Sequence, residues 1–124
     1  MSTLARRKLG QWGEEIAAAY LKQKGYTILQ RNIRTAYGEI DLLASQVDTL
    51  IFVEIKTRSS ASLGSPEISI TPKKFAHMLA SAESYLMTHP EINAAWRIDV
   101  ISVLYNTADQ SPEITHFENI THVP

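Results

Sequence analysis

The sequence contains no cysteine, which excludes disulfide bonds, thiolate zinc sites and cysteine nucleophiles. It has no apolar run approaching the roughly 20 residues that a membrane-spanning helix requires. Residues 1–7 also lack the apolar core of a secretory signal, and no internal repeat or low-complexity segment is present. We therefore expect a cytoplasmic protein with no membrane partner.

A strong charge of one sign is also lacking, because the net charge is only −1, and this alone argues against a nucleic-acid-binding protein. The distribution is uneven, however. Residues 1–74 carry 11 Lys and Arg against 7 Asp and Glu, whereas residues 75–124 carry 1 against 6. The basic part could create a positive field for a polyanion, although scattered surface lysines would give the same count.

The length of 124 residues is enough to bury one hydrophobic core and leaves no room for a second. The hydrophobic share of 44% and the charged share of 20% are those of an ordinary globular domain. We predict a single domain over residues 1–124. Within it, residues 1–8 are expected to form a flexible basic arm and residues 118–124 a loose tail.

Residues 38–58 contain the most informative pattern, two strands joined by a short turn. Residues 39–44 begin with alternating acidic and apolar positions, and residues 50–56 are rich in β-branched and aromatic side chains. Residues 46–49 between them are polar enough for a hairpin connection. This stretch therefore predicts an antiparallel hairpin.

The hairpin carries charges that depend on its register. If Ser45 faces Leu50, then Asp41 lies opposite Glu54 and Glu39 lies opposite Lys56, with all four side chains on one face. Facing Cβ atoms are roughly 4.5–5.5 Å apart, so the two carboxylates repel each other. A divalent cation held by oxygen ligands would offset that repulsion, and the Lys56 ammonium could contribute. The alternative is an ordinary solvated sheet face with cross-strand Glu–Lys pairs.

The motifs of this chain resemble a known superfamily. An aspartate, twelve intervening residues and Glu-x-Lys on the next strand form the signature of the PD-(D/E)XK nucleases, with Ile40-Asp41 replacing the usual Pro-Asp. The flanking residues resemble the YraN-like uncharacterised family, which is similar to archaeal Holliday-junction resolvases. The matching positions are Gly13-Glu14-Glu15, Ala18, Leu21, Gly25-Tyr26, Arg31-Asn32, Gly38–Leu42, Phe52–Arg58, Gly64, Lys73-Lys74 and Asp99-Val100.

The resemblance implies a site for Mg²⁺ or Mn²⁺ held by Asp41, Glu54 and the backbone carbonyl of Ile55. Lys56 is expected to orient the nucleophile or to stabilise the transition state, and Glu39 to reach the ion or to position Lys56. In the resembling resolvases a glutamate on the first helix also reaches the metal. Glu15 is the better match by motif and Glu14 a close second, although acidic residues also favour a helix N-terminus for structural reasons.

Five basic residues are candidates for contacts with nucleic-acid phosphates: Arg31, Arg34, Arg58, Lys73 and Lys74. Arg31 and Arg34 flank the hairpin and could equally be surface ion-pair partners. Residues 58–66 are small and polar, as in a mobile loop at the mouth of a site. The two lysines occupy the first helical turn after Thr71-Pro72, where the helix dipole disfavours cations, so their position favours phosphate binding.

The predicted order of elements is a helix over residues 11–24, a strand over 26–34, the hairpin, a helix beginning at Thr71-Pro72, a strand over 96–105 and a short edge strand over 114–117. This predicts an α/β fold with a mixed sheet whose first three strands form an antiparallel meander. The resemblance implies a restriction-endonuclease-like core. Asp99 is expected to pair with an arginine or to cap a strand edge, and no role is assigned to His116.

Two functions follow as alternatives. The first is a metal-dependent endonuclease that hydrolyses DNA, with branched DNA of the Holliday-junction type and damaged DNA as candidate substrates. It works as a homodimer by analogy with the resolvases. The second is a non-catalytic nucleic-acid-binding or protein-interaction module that retains the nuclease fold. Activity on RNA stays open, and so does a structural adaptor whose acidic hairpin is only a solvated face.

Overall fold

A computed structural model of the chain describes residues 2–59 and 70–120. The elements of these residues, in chain order, are α1 (Thr3–Gln23), β1 (Thr27–Thr35), β2 (Gly38–Gln46), β3 (Thr49–Ser59), α2 (Pro72–Thr88), β4 (Ala95–Asn106) and β5 (Ser111–Phe117). The predicted loop residues 60–66 lie outside the described part, and Arg58 and Ser59 belong to β3.

The strands form one sheet in the order β1-β2-β3-β4-β5. The first three strands are antiparallel neighbours, β3 and β4 are parallel, and β5 returns antiparallel to β4. The segment from β3 to β4 contains α2, as a parallel pair requires, because only a long crossover can bring the chain back to the same end of the sheet. The predicted α/β class, mixed sheet and antiparallel meander are confirmed.

The sheet is covered by one helix on each face. Ala17, Ala18 and Leu21 of α1 pack with Leu42 and other buried side chains of β2, β3 and β4 in one cluster. Met78, Leu79, Ala82, Tyr85 and Leu86 of α2 pack with a second cluster centred on Phe52. Neither described helix is long and apolar enough to cross a membrane.

The first helix begins earlier than the sequence pattern predicted. Ser2 is its N-cap, because the Ser2 hydroxyl accepts a hydrogen bond from the Ala5 N–H at 3.0 Å. From Thr3 onward, the residues predicted as a basic arm therefore lie in α1, and Arg6, Arg7 and Lys8 are exposed on its first turns. The pattern missed this part because a helix turn without buried residues has no apolar periodicity.

The second helix begins where it was predicted. Thr71 is its N-cap, accepting from the Lys74 N–H at 3.1 Å, and Pro72 is the first helical residue. Proline suits this position because the first N–H of a helix has no partner within the helix. The cap fixes where the first turn of α2 begins, and the side chains of Lys73 and Lys74 extend from that turn.

The C-terminal residues 118–120 are held to the sheet, contrary to the predicted loose tail over 118–124. The Ile120 N–H donates to the Ile98 carbonyl at 2.7 Å, and the Asn119 N–H donates to the Asp99 carboxylate at 2.9 Å. Glu118 accepts from the Tyr26 hydroxyl at 3.3 Å. The remaining residues, 121–124, lie outside the described part. Apolar periodicity could not reveal this anchor, because it uses backbone and polar groups.

At Gly13, α1 lies in close contact with β3 of the sheet. A Cβ atom built on Gly13 would lie 2.0 Å from the Thr57 hydroxyl oxygen and 2.8 Å from Thr57 Cβ. Thr57 is short and β-branched, so it has little freedom to move away. Glycine at this position therefore allows α1 to lie close enough to β3 for the next residue, Glu14, to approach the hairpin.

Gly13→Ala should lower the free energy of unfolding by roughly 1–3 kcal/mol, the usual cost of overpacking a tight contact. Gly10→Ala is the matched control, because nothing lies within 4 Å of the added Cβ and the site is also helical. It should stabilise the protein by up to about 1 kcal/mol through helix propensity. Urea unfolding of both variants tests this, and equal effects of the same sign would contradict the close contact.

Candidate functional site

The hairpin of β2 and β3 has the register that the sequence predicted. Ser45 faces Leu50, and Leu42 faces Val53. The paired ladder ends at Leu42 and Val53, one residue before the predicted pair of Asp41 and Glu54. At that point the Ile55 N–H donates a hydrogen bond of 2.8 Å to the Asp41 side chain. The Asp41 carboxylate therefore contacts the backbone of β3 at the point where the backbone pairing of the two strands ends.

The regular alternation of side chains in β2 is interrupted beside Asp41. Leu42 packs in the cluster under α1, whereas both Ile40 and Leu43 pack in the cluster under α2. Strict alternation would place positions 40 and 43 on opposite faces. The four charged side chains of the hairpin therefore do not all lie in one regular row on one face of the sheet. Asp41 and Glu54 lie where the pairing of the two strands ends.

Glu54 lies close enough to Asp41 to affect the ionisation of Asp41. Burial of Asp41, followed by repulsion from Glu54, raises the pKa of Asp41 to about 7, although the hydrogen bond from Ile55 acts in the opposite direction. Repulsion from Glu14 adds to the increase. Near neutral pH Asp41 is therefore poised between its protonated and its ionised form. A bound cation would compensate the same excess of negative charge.

Glu54 has a partner that comes from α2. Lys74 Nζ lies 2.9 Å from Glu54 Oε1, and the Glu54 side chain is only 14% exposed whereas that of Lys74 is 46% exposed. The sequence predicted Lys74 as a phosphate contact and Lys56 as the lysine beside the acidic pair. Among the described residues, Lys74 makes the ion pair with Glu54. Lys56 is partly buried on β3 opposite Ser102 of β4.

Glu14 on α1 lies close enough to Asp41 to raise the pKa of that carboxyl group. Burial raises the pKa of Glu14, and the nearby Glu39 and Glu15 raise it further, against a hydrogen bond with Asn32. Glu15 has a side chain that is 71% exposed and forms an ion pair with Arg31. The signal for this was present in the sequence, because Glu14 lies three, four and seven residues before the buried Ala17, Ala18 and Leu21.

The remaining predicted residues differ in their exposure and in their neighbours. Glu39 is exposed, pairs across the strands with Arg34, and lines a cavity of about 20 Å³ together with Glu54. A cavity of that size holds about one water molecule. Within residues 2–59 and 70–120, Nη2 of Arg58 is a buried donor that has no hydrogen-bond partner. Lys73 is exposed on the first turn of α2.

The donors that could hold a metal ion are few. In the part of the chain that the structure describes, no group of three or more His, Cys, Asp or Glu side chains is arranged to bind one. Asp41 and Glu54 supply two carboxylates, and the carbonyl of Ile55 would be a third oxygen donor. Mg²⁺ is commonly held by one or two carboxylates with water completing its shell, so this donor set is chemically suitable for it.

A second polar cluster was not predicted as a whole. Asp99 of β4 is fully buried and accepts hydrogen bonds from Arg97, as expected, at 3.0 Å, and also from His116 at 2.8 Å. His116 in turn contacts the Tyr20 hydroxyl at 3.2 Å. Burial alone would raise the pKa of Asp99, but the hydrogen bonds from His116, Arg97 and Asn119 hold it below its usual value. The cluster joins α1, β4, β5 and the C-terminal residues.

The fold and the site together define an α/β protein whose mixed sheet carries a carboxylate pair where two antiparallel strands separate. The chain belongs to the Uncharacterised protein family UPF0102, the YraN-like family, whose model matches residues 13–103. The matched range contains Glu14, the whole hairpin, Lys74 and Asp99.

Similar proteins occur in several bacteria. A UPF0102 protein of Syntrophomonas wolfei is 45% identical over 113 residues, covering 91% of this chain and 96% of that protein. Another, from Dehalococcoides mccartyi, is 44% identical over 98 residues, covering 79% and 81% of the two chains. A third, from Caldicellulosiruptor saccharolyticus, is 39% identical over 114 residues, covering 92% and 97%. The similarity therefore extends over nearly the full length of two of these relatives.

Proposed function

We propose that this protein is a Mg²⁺- or Mn²⁺-dependent endonuclease that hydrolyses phosphodiester bonds of DNA, with branched DNA of the Holliday-junction type as the preferred substrate. The observation that supports this best is the Asp41–Glu54 pair. Burial of Asp41 at the end of the hairpin ladder, together with repulsion from Glu54, raises the pKa of Asp41 to about 7. A carboxyl group whose pKa is raised by burial and by a specific charged neighbour is typical of functional sites.

Each residue of the site would have a distinct task. Asp41, Glu54 and the Ile55 carbonyl would hold the ion, and Glu14 and Glu39 would add to the negative field around it. When bound, a divalent ion neutralises phosphate charge and makes water more acidic. Lys56 would orient the attacking water or stabilise charge on the phosphate during the reaction. These assignments agree with the resemblance to PD-(D/E)XK nucleases.

The basic residues around the pair would hold the DNA backbone. Arg58 on β3 would supply its guanidinium to a phosphate oxygen, and its Nη2 is a buried donor without a partner in the described residues. Lys73, Arg34 and Arg31 are further candidates, although Arg31 is engaged by Glu15. A homodimer would present two such sites to the arms of a branched substrate, by analogy with the resolvases.

A non-catalytic binding module is the second candidate, and one observation favours it. The described residues include no cluster of three or more metal-binding side chains, and the Glu54 carboxylate is already paired with Lys74. Such a module would bind nucleic acid or a protein through the same surface without cutting.

Cleavage assays distinguish these candidates. Branched and linear DNA are incubated with the wild type, Asp41→Asn and Glu54→Gln in Mg²⁺, in Mn²⁺ and in EDTA. We expect the wild type to cut branched DNA only with a divalent ion and both variants to show no detectable cutting. Glu113→Gln, an exposed position on β5, is the matched control and should cut normally.

Other results of these assays would favour the binding module or argue against DNA as the partner. Salt-sensitive DNA binding that is unchanged in Asp41→Asn and Glu54→Gln, without cutting in any metal, would favour the binding module. Affinity for DNA that does not fall steeply with salt would argue against phosphate recognition altogether. Replacing DNA by RNA of the same branched design tests the remaining substrate class.

A further inference from the structure

The ion pair between Lys74 and Glu54 connects α2 to the carboxylate pair. Lys74 lies in the first turn of α2, and its N–H is used by the Thr71 cap. Its side chain extends to Glu54, with Nζ 2.9 Å from Oε1. No other ion pair in the described residues involves Asp41, Glu54 or Lys56. Among the described residues, Lys74 is thus the cation that contacts the acidic pair, through Glu54.

The position of Lys74 is unfavourable for a helix and favourable for the site. The N-terminal end of a helix carries a partial positive charge that disfavours a lysine. Glu54 is mostly buried beside Asp41, and a buried carboxylate without a partner is costly. The Lys74 ammonium supplies that partner, so in the metal-free protein it offsets part of the charge that a divalent ion would offset.

A divalent ion and the Lys74 ammonium cannot both take the same side of the Glu54 carboxylate, because two positive charges at that separation repel each other. Once displaced, the ammonium is still half-exposed at the N-terminal end of α2. That place already favours anions, since the helix dipole and an unpaired lysine act together there. The displaced Lys74 therefore has a natural new partner in a phosphate group of the substrate.

We propose that Lys74 is a positioning residue that holds Glu54 in the metal-free protein and moves to a substrate phosphate when a divalent ion binds. This inference rests on the proposed nuclease function. It couples the two binding events, because the ion releases a lysine that the DNA then uses. The metal-free protein would bind DNA without the contribution of Lys74.

Mn²⁺ binding in the absence of DNA tests the first half of the proposal. Free Mn²⁺ is measured by electron paramagnetic resonance in titrations of the wild type, Lys74→Gln, Lys73→Gln and Glu54→Gln. Removing the competing ammonium should make Lys74→Gln bind Mn²⁺ about five- to tenfold more tightly. Lys73→Gln removes the same charge one residue away and should change the affinity by less than about twofold.

DNA binding tests the second half. In Ca²⁺, used so that the DNA stays intact, Lys74→Gln should bind branched DNA more weakly and lose about 0.9 from the slope of log affinity against log salt. In EDTA, where Lys74 is engaged by Glu54, the same variant should bind as the wild type does. Lys74→Arg keeps the charge and should bind Mn²⁺ and DNA nearly as the wild type does.

The failures of the two proposals can be told apart. If Mn²⁺ binds to the wild type and not to Glu54→Gln, but Lys74→Gln and Lys73→Gln bind it alike, then Lys74 is an ordinary ion-pair partner and only this inference fails. If no Mn²⁺ binding depends on Glu54, the metal site itself is wrong and both proposals fail. A loss of DNA affinity in Lys74→Gln that is equal in Ca²⁺ and EDTA would also overturn the coupling.

Discussion

Replacing Asp99 by asparagine should lower the free energy of unfolding by about 3–5 kcal/mol, as expected when one partner of a buried ion pair is removed. Asp99 has no exposed surface and accepts hydrogen bonds from Arg97, His116 and the Asn119 N–H. The asparagine side chain keeps one acceptor oxygen, but its NH₂ group would face groups that are themselves hydrogen-bond donors. Arg97, only 22% exposed, then loses its charged partner at 3.0 Å.

Glu118→Gln is the matched control for this prediction. Glu118 approaches the same Arg97 at 3.9 Å, but its side chain is 53% exposed, so its ion pair should be worth less than about 1 kcal/mol. Urea unfolding at pH 7 compares the two variants. Equal and small effects would mean that the buried cluster does not hold β4, β5 and the C-terminal residues together.

The same cluster gives the protein an acid sensitivity with a definite sign. The pKa of Asp99 is lower in the folded protein than its ordinary value. The folded state therefore keeps Asp99 ionised at pH values where the unfolded chain begins to take up a proton. The stability from Asp99 is present above the ordinary pKa and is lost as the pH falls through the folded value. Asp99→Asn should remove that part of the acid sensitivity.

The hairpin could be predicted from the sequence because its determinants are local. Alternating and β-branched residues define the two strands, and the short turn fixes which positions face each other. The observed pairing of Ser45 with Leu50 agrees with that prediction. Thr71-Pro72 likewise defined the start of α2, since cap and first-turn preferences involve only neighbouring residues.

The partners of the acidic pair could not be predicted in the same way, because they come from distant parts of the chain. Lys74 is twenty positions after Glu54, and its direction depends on how α2 packs on the sheet. The choice between Glu14 and Glu15 depends on which face of α1 is buried. A helix rotates by about 100° per residue, so a small error in assigning the buried face exchanges one glutamate for the other.

The polar cluster around Asp99 shows a different limit of sequence reasoning. An aspartate within an apolar strand indicates a partner, and the sequence predicted an arginine without identifying which one. His116 and the Asn119 N–H reach Asp99 only because β5 turns back along β4. The short edge strand was predicted, but its pattern contains no information about which side chain meets Asp99.

Raising the pH from 5 to 8 in EDTA should lower the free energy of unfolding through Asp41, with an upper limit near 1.4 kcal/mol per pH unit. Burial and repulsion from Glu54 raise the folded pKa of Asp41 to about 7 from an ordinary 3.8. Between these values the folded state holds a proton that the unfolded chain has released. This contribution to stability is therefore fully present below the ordinary pKa and is lost as the pH rises through about 7, and the part lost between pH 5 and 8 is on the order of 3 kcal/mol.

Asp41→Asn should remove this loss, since an amide keeps the acceptor for the Ile55 N–H and has no proton to release. The variant should therefore be more stable than the wild type at pH 8 and nearly equal to it at pH 4. Asp48→Asn is the control, because Asp48 is exposed in the hairpin turn. It should leave the pH dependence of the free energy of unfolding unchanged. Urea unfolding at several pH values measures both variants, and an unchanged slope in Asp41→Asn would show that another group titrates.

The proton on the carboxylate pair also connects stability to the proposed metal site. A divalent ion that binds Asp41 and Glu54 stabilises the ionised form, so it competes with the proton and binds more tightly as the pH rises. Adding Mg²⁺ or Mn²⁺ at pH 8 should then restore stability that EDTA removes, because the ion binds only the folded state. Glu54→Gln should abolish that recovery. Recovery that persists in this variant would place the ion elsewhere on the protein.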